Sequence, residues 1–117
     1  MTKYELRERC FKFSVDLVKF LNNLAKSTAS SVLFNQVIRS GTSIGANVEE
    51  ADNSPTRKDF KYKMVIAKKE AAETVYWLRI IIEAKILKNP TNVTKAEELL
   101  DESNQLLKII SSIFRKI

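Results

Sequence analysis

The sequence predicts an all-α protein, an up-down-up-down antiparallel four-helix bundle. Three observations carry that expectation. Only two glycines and two prolines occur in 117 residues, too few turn formers for a many-stranded sheet. Apolar residues recur at steps of three and four in four separate runs. The breaks between those runs are short and polar, which makes sequential helices antiparallel neighbours. At this length the chain reads as one domain, 1–117, and 44% hydrophobic residues are enough for a packed core.

The first helix is expected over about 4–25, with Leu6, Cys10, Phe13, Leu17, Leu21 and Leu24 on one stripe. Residues 26–31 form a polar break. The second helix is expected over 31–52, burying Leu33, Val37, Ile44, Val48 and Ala51. Asn53-Ser54-Pro55 stops it, with Ser54 read as the N-cap and Pro55 as the first position of the third helix. That helix is expected over 55–87 on a stripe of Phe60, Met64, Ala67, Ala71, Leu78 and Ile82. Asn89-Pro90-Thr91 turns the chain into a fourth helix over 91–116. Its stripe is Val93, Ala96, Leu100, Ser103, Leu107, Ile110 and Phe114, a strict three-four alternation that favours shallow left-handed packing.

Both glycines, Gly41 and Gly45, fall inside the second helix. Each costs about 1 kcal/mol relative to alanine there. Close approach of a neighbouring helix is the simplest compensation. A phosphate-binding glycine loop is disfavoured, because the spacing is wrong and no strand precedes it.

The third helix carries more apolar surface than one core uses. Tyr62, Val65, Ile66, Tyr76 and Ile80 lie roughly opposite its core stripe, followed by Ala84. The first helix adds Phe11, Val15 and Val18, and the fourth adds Leu99, Leu106 and Ile113. A patch of this kind marks a protein partner, and self-association is the first expectation. Trp77, near the boundary between the two faces, reads as packing.

The chain has no histidine and one cysteine, Cys10. Cys/His zinc sites and histidine-based nucleophile pairs are therefore excluded. The unpaired cysteine, the charged N-terminus and the lack of a long apolar run lead to an expected cytoplasmic setting. No cofactor is expected. Net charge is +6 and the pI about 9.5, a balance that favours anionic partners. In the bundle, ten cations and six carboxylates collect at the end where the first and third helices begin, a surplus of four. Arg57, Lys61 and Lys68 share one arc of the third helix, with Lys58 and Lys69 nearby and Arg7 on the first. Lysine at a helix start opposes the dipole, and phosphate contacts would offset that. These six are the candidate nucleic-acid-binding residues; a solvated face balanced by Glu49, Glu50 and Asp52 is the plain alternative.

Glu70 and Glu73, with Glu98 and Asp101, resemble the paired carboxylates of magnesium-dependent nucleotide hydrolases. Their distances from the turn at Asn89 differ by several residues, so antiparallel neighbours would miss each other by several ångströms. The better reading is a structural polar network of Arg39, Ser43, Asn47, Glu70 and Glu73.

The stretch VIRSGTSIGANVEEA followed by DFKYKMVIAKKEAAETVYWLRIIIEA resembles the four-helix-bundle proteins encoded in 23S rRNA intervening sequences. Arg39-Ser40, Ser43 to Asn47 with Glu50, and Ala67 with Glu70, Glu73, Trp77 and Leu78 carry the likeness. An acidic-glycine step usual after the asparagine is replaced here by Glu49-Glu50-Ala51. The resemblance implies a bundle that can assemble as a cyclic pentamer, similar to the basic accessory protein of diversity-generating retroelements that binds nucleic acid and a reverse transcriptase. It implies no catalytic residue. The leading expectation is a non-enzymatic homo-oligomer that binds structured RNA or other nucleic acid through the phosphate backbone. A protein-interaction module whose basic charge is incidental stands against it.

Overall fold

The structure, a computed structural model, describes residues 1–117 as four helices: α1 Lys3–Asn22, α2 Thr28–Asp52, α3 Arg57–Glu83 and α4 Pro90–Arg115. Consecutive helices pack together, and α1 closes the ring against α4. α1 and α3 are therefore diagonal across the bundle and point their outer faces in opposite directions. The molecule measures 46 × 24 × 20 Å, long along the helices and narrow across them.

Local chemistry sets the helix ends, and it moves several expected boundaries. α1 starts at Thr2, whose hydroxyl accepts from Glu5 N, and ends at Asn22 rather than 25. α2 starts three residues earlier than expected. Ser27 caps it: its Oγ accepts from the Ser30 amide, and the Ser27 amide donates to Ser30 Oγ in a reciprocal capping box. The polar break was read as loop because serines serve both loops and caps. α3 begins at Arg57, with Thr56 as the cap accepting from Asp59 N; Ser54 instead donates back to the Glu50 carbonyl of α2. α3 stops at Glu83, not 87, because Lys85 takes a left-handed conformation, φ 59°. A non-glycine residue there costs about 1–2 kcal/mol and leaves no mark in the sequence. The turn folds Ile86 and Leu87 back against the core. Asn89 caps α4, with Pro90 as its first residue.

The core is continuous and follows the predicted stripes of α1 and α2, except that Phe34 rather than Leu33 is fully buried and Leu24 lies beyond the end of α1, packed at the core's edge. In α3 the stripe ends on Ile81 while Ile82 is only partly buried. α4 is rotated from the expected face: Ala96, Leu99, Ser103, Leu106 and Ile110 are buried, and Leu100, Leu107 and Phe114 sit at the edge. Adjacent leucines at 99/100 and 106/107 straddle the face, so the period alone does not choose between them. Leu99 and Leu106 thus belong to the core rather than to a second apolar face.

The glycines mark the closest helix contact. A Cβ on Gly41 would overlap the Leu17 Cδ2 of α1 and touch Phe13 at 3.5 Å. One on Gly45 would lie 3.1 Å from the Cys10 Cβ. Their absent side chains let α1 approach α2, and Cys10 is sealed beneath that contact at 1% exposure. Burial pushes its thiol up to about 12. The Trp77 indole stacks edge-on against Tyr76 at 5.3 Å, and its Nε1 is buried without a hydrogen-bond partner.

Candidate nucleic-acid interface

Two polar constellations cross helix boundaries, and they separate structural charge from free charge. In the first, Arg39 of α2 reaches across to α3, with Nη1 3.2 Å from Glu70 Oε2 and Nη2 bonded to Glu73 Oε2. Hydrogen bonding to Glu73, together with the charge of Glu70, holds the guanidinium above its ordinary value. Beneath this pair the Thr74 hydroxyl donates to the Glu70 carbonyl at 2.8 Å and shares a 2.9 Å hydrogen bond with Ser40 Oγ. Ser40 and Thr74 are wholly buried. Ser43 and Asn47, expected in this network, fall outside it. Each bonds one turn back along α2, Ser43 to the Arg39 carbonyl and Asn47 to the Ser43 carbonyl. Both lie on the same arc of α2 as Arg39 and Ser40, but their short side chains close these local bonds instead. Thr74 was missed because it lies between apolar core positions with no distinguishing spacing.

The second constellation pins the seams of α1. Arg9 grips Glu102 of α4 with Nε and Nη2 at 2.7 and 2.8 Å, and Gln105 accepts a further bond from Nη2. That pairing raises the Arg9 guanidinium despite partial burial. Arg7 Nε lies 3.1 Å from Asp52 Oδ2 of α2, an ion pair too bent to count as a hydrogen bond, and Glu49 stands 3.9 Å away. Burial pushes the Asp52 carboxyl up, while Arg7 and Lys3 pull it down. Arg7, expected to meet an anionic ligand, is thus committed to holding α1 on α2.

The remaining predicted cations stand free. Arg57, Lys58, Lys61, Lys68 and Lys69 form no ion pair. All but Lys68, which is half-buried, are exposed. Lys61 and Lys68 flank one ring, with ammonium groups 5.6 and 5.5 Å from the Phe114 centroid. Lys63, on the same turn as Lys61, is by contrast bound to Glu50 at 2.9 Å, which raises its ammonium. Arg115 and Lys116 extend the basic surface from the end of α4 and are also unpaired.

The carboxylates weighed as a magnesium site do not converge. Glu70 and Glu73 are held by Arg39, whereas Glu98 lies beside Lys95 and Asp101 accepts from Gln105. No group of three or more acidic or cysteine side chains is placed to hold a metal ion. No helix is long and apolar enough to cross a membrane.

On the apolar side, Tyr62, Val65 and Tyr76 stand 62%, 42% and 57% exposed along the outer face of α3, with Ile66 and Ile80 half-buried beside them. Tyr4, Phe11 and Val18 are exposed along the outer face of α1 at seven-residue steps. Tyr4 had not been singled out; its spacing from Phe11 is the signal that finds it.

Fold and site define an antiparallel four-helix bundle with a free basic surface, internally braced by arginine–carboxylate pairs. A family model for the 23S rRNA-intervening sequence protein matches residues 2–112, and the chain belongs to that family. A crystal structure of a protein of unknown function from the S23 ribosomal protein family of Bacteroides thetaiotaomicron is similar, with TM-score 0.83 and 32% identity over 98% of this chain and 99% of that one. No curated protein matches the chain.

Proposed function

We propose that this protein is a non-catalytic, homo-oligomeric bundle that binds structured RNA or other nucleic acid through its phosphate backbone. One observation carries the reading: Arg57, Lys58, Lys61, Lys68 and Lys69 are clustered on the first half of α3 without carboxylate partners, whereas Arg7, Arg9, Arg39 and Lys63 nearby are ion-paired. Free cations clustered on one helix form the electrostatic footprint of phosphate binding. Nothing in the cluster supplies the forked, groove-fitting geometry of base readout.

Self-association rests on the two outer apolar faces. Tyr4 to Val18 and Tyr62 to Tyr76 each span fourteen residues, about 21 Å of helix. Lys3 lies over the Phe60 ring at 4.8 Å, so both faces start at the same end of the bundle. Two different patches on opposite sides favour head-to-tail contact, α3 of one copy against α1 of the next. Such a contact forms a ring where the rotation between copies closes and an open filament where it does not, and either gathers several basic surfaces, which strengthens binding through avidity. A fivefold ring is what the family resemblance implies.

The test is charge reversal. Lys58→Glu with Lys61→Glu should weaken RNA binding while leaving the helical signal and melting temperature unchanged. Unchanged affinity would remove the phosphate-binding role from this surface and favour the protein-interaction reading, for which the exposed α1 and α3 faces are the support.

A further inference from the structure

A cleft opens at the end of the bundle where α1 and α3 begin and α4 ends. It encloses about 540 Å³ between the start of α1, the α2–α3 turn and the end of α4. That size suits a small ligand. Lys3, Arg57 and Lys116 stand around it, one from each element, and none is ion-paired. Its walls include Phe60, Ile113 and Ile117. A second hollow of about 230 Å³ shares Lys3, Asp52, Phe60 and Ile113 with the first and continues inward to Leu6, Val48 and Met64. The pair therefore grades from a cationic mouth to an apolar slot.

Asp52 lines both hollows. Its side chain is nine-tenths buried, and Oδ2 is ion-paired to Arg7 Nε at 3.1 Å but accepts no aligned hydrogen bond, which leaves it room for a further donor. A buried acceptor in the slot and cations at the mouth fix an orientation. The carboxylate repels phosphate from the interior and leaves it to Arg57 and Lys116. The lining suits an occupant that is largely apolar and able to donate a hydrogen bond. An acyl chain fits the walls but leaves Asp52 unsatisfied. Inorganic phosphate suits the mouth but leaves the slot empty.

We propose that this cleft binds one nucleotide unit, its base in the slot beside Phe60 and the Lys3 ammonium that covers that ring, with an amino or imino N–H toward Asp52 and its 5′-phosphate on Arg57 and Lys116. The proposal rests on the nucleic-acid reading above and deepens it. The backbone would lie along the α3 cations, and one unstacked nucleotide would be drawn into the end of the bundle. Aromatic contacts beside a cationic track are how single-stranded segments are held without a sequence code.

The test is a titration of isotope-labelled protein with guanosine 5′-monophosphate, followed by amide chemical shifts. Guanosine, hexyl phosphate and inorganic phosphate serve as comparison probes. The expected result is saturable shifts at Phe60, Ile113 and Ile117, with the nucleotide at least about tenfold tighter than any comparison probe. Arg57→Glu with Lys116→Glu should abolish the preference while the remaining spectrum stays folded. Equal affinity for hexyl phosphate and the nucleotide would overturn the base assignment. No shift at the cleft up to about 5 mM nucleotide would overturn the site. Structured RNA titrated in parallel separates this inference from the one beneath it. Salt-sensitive RNA binding without cleft shifts defeats the cleft alone. Nucleotide binding without RNA affinity keeps the cleft as a free-nucleotide site and defeats the backbone reading.

Discussion

Gly45 of α2 sits against Cys10 of α1 so closely that an added Cβ would lie 3.1 Å from the Cys10 Cβ and 3.5 Å from its carbonyl carbon. Neither of those atoms swings aside as a side-chain tip does, so relief requires moving α1. Gly45→Ala gains about 1 kcal/mol of helix propensity, and displacing α1 costs about 1–3 kcal/mol. We expect Gly45→Ala to lose about 1 kcal/mol and Gly45→Val about 3 kcal/mol of stability in urea titrations. A Gly45→Val protein as stable as the parent would show that α1 and α2 are not held in this contact.

The same contact seals Cys10, whose thiol is raised from 9.0 to about 12 by burial. The sign follows from linkage. Below pH 9 both folded and unfolded chains keep the proton, and this thiol adds no pH dependence. Between pH 9 and 12 the unfolded thiol ionises while the folded one does not, so stability falls as pH rises. Cys10→Ala removes that slope. Its stability relative to the parent should therefore rise above pH 9 and stay flat between pH 6 and 8. A constant difference across the alkaline range would contradict the buried neutral thiol.

Arg39 holds two carboxylates of unequal burial, Glu70 with its side chain 10% exposed and Glu73 at 33%. Arg39→Ala leaves Glu70 buried without its cation, which should cost about 1–3 kcal/mol. Glu73→Ala removes only the outer arm and should cost less than about 1 kcal/mol. Arg39→Lys should not restore the parent, because one ammonium does not span two carboxylates as the fork does. Thermal melts of the three variants decide the ranking, and an Arg39→Ala loss no larger than that of Glu73→Ala would refute it.

The head-to-tail contact makes a complementation prediction. Phe11→Glu spoils the α1 face and leaves the α3 face intact; Tyr76→Glu does the reverse. Each variant alone should sediment as a monomer. Mixed in equal amounts they should form a one-to-one dimer and stop there, since each has a single good face. Larger mixed assemblies, or no association, would contradict pairing of α1 with α3.

Four helices, their order and most of the α1 and α2 core were legible because a three-four apolar period needs no tertiary information. The paired leucines of α4 hid its rotation, since either member satisfies that period. The end of α3 was hidden because Lys85 carries none of the chemistry that usually marks a left-handed residue. Among site residues, Arg39, Glu70 and Glu73 were grouped in one polar network by sequence without their pairing being specified, whereas Ser43 and Asn47 were included by treating every polar residue near the core as a network member. Arg7 lay in the basic cluster by sequence, but its pairing with Asp52 depends on where α1 meets α2. The end cleft was invisible, because its walls come from three parts of the chain that only the fold brings together.

The most direct test of phosphate-backbone binding is fluorescence anisotropy of a structured rRNA fragment with the purified protein, repeated across about 50 to 200 mM salt. The proposed surface predicts binding that weakens by orders of magnitude over that range as counterions are released. Affinity that is absent at the lowest salt, or unchanged across the range, would contradict it.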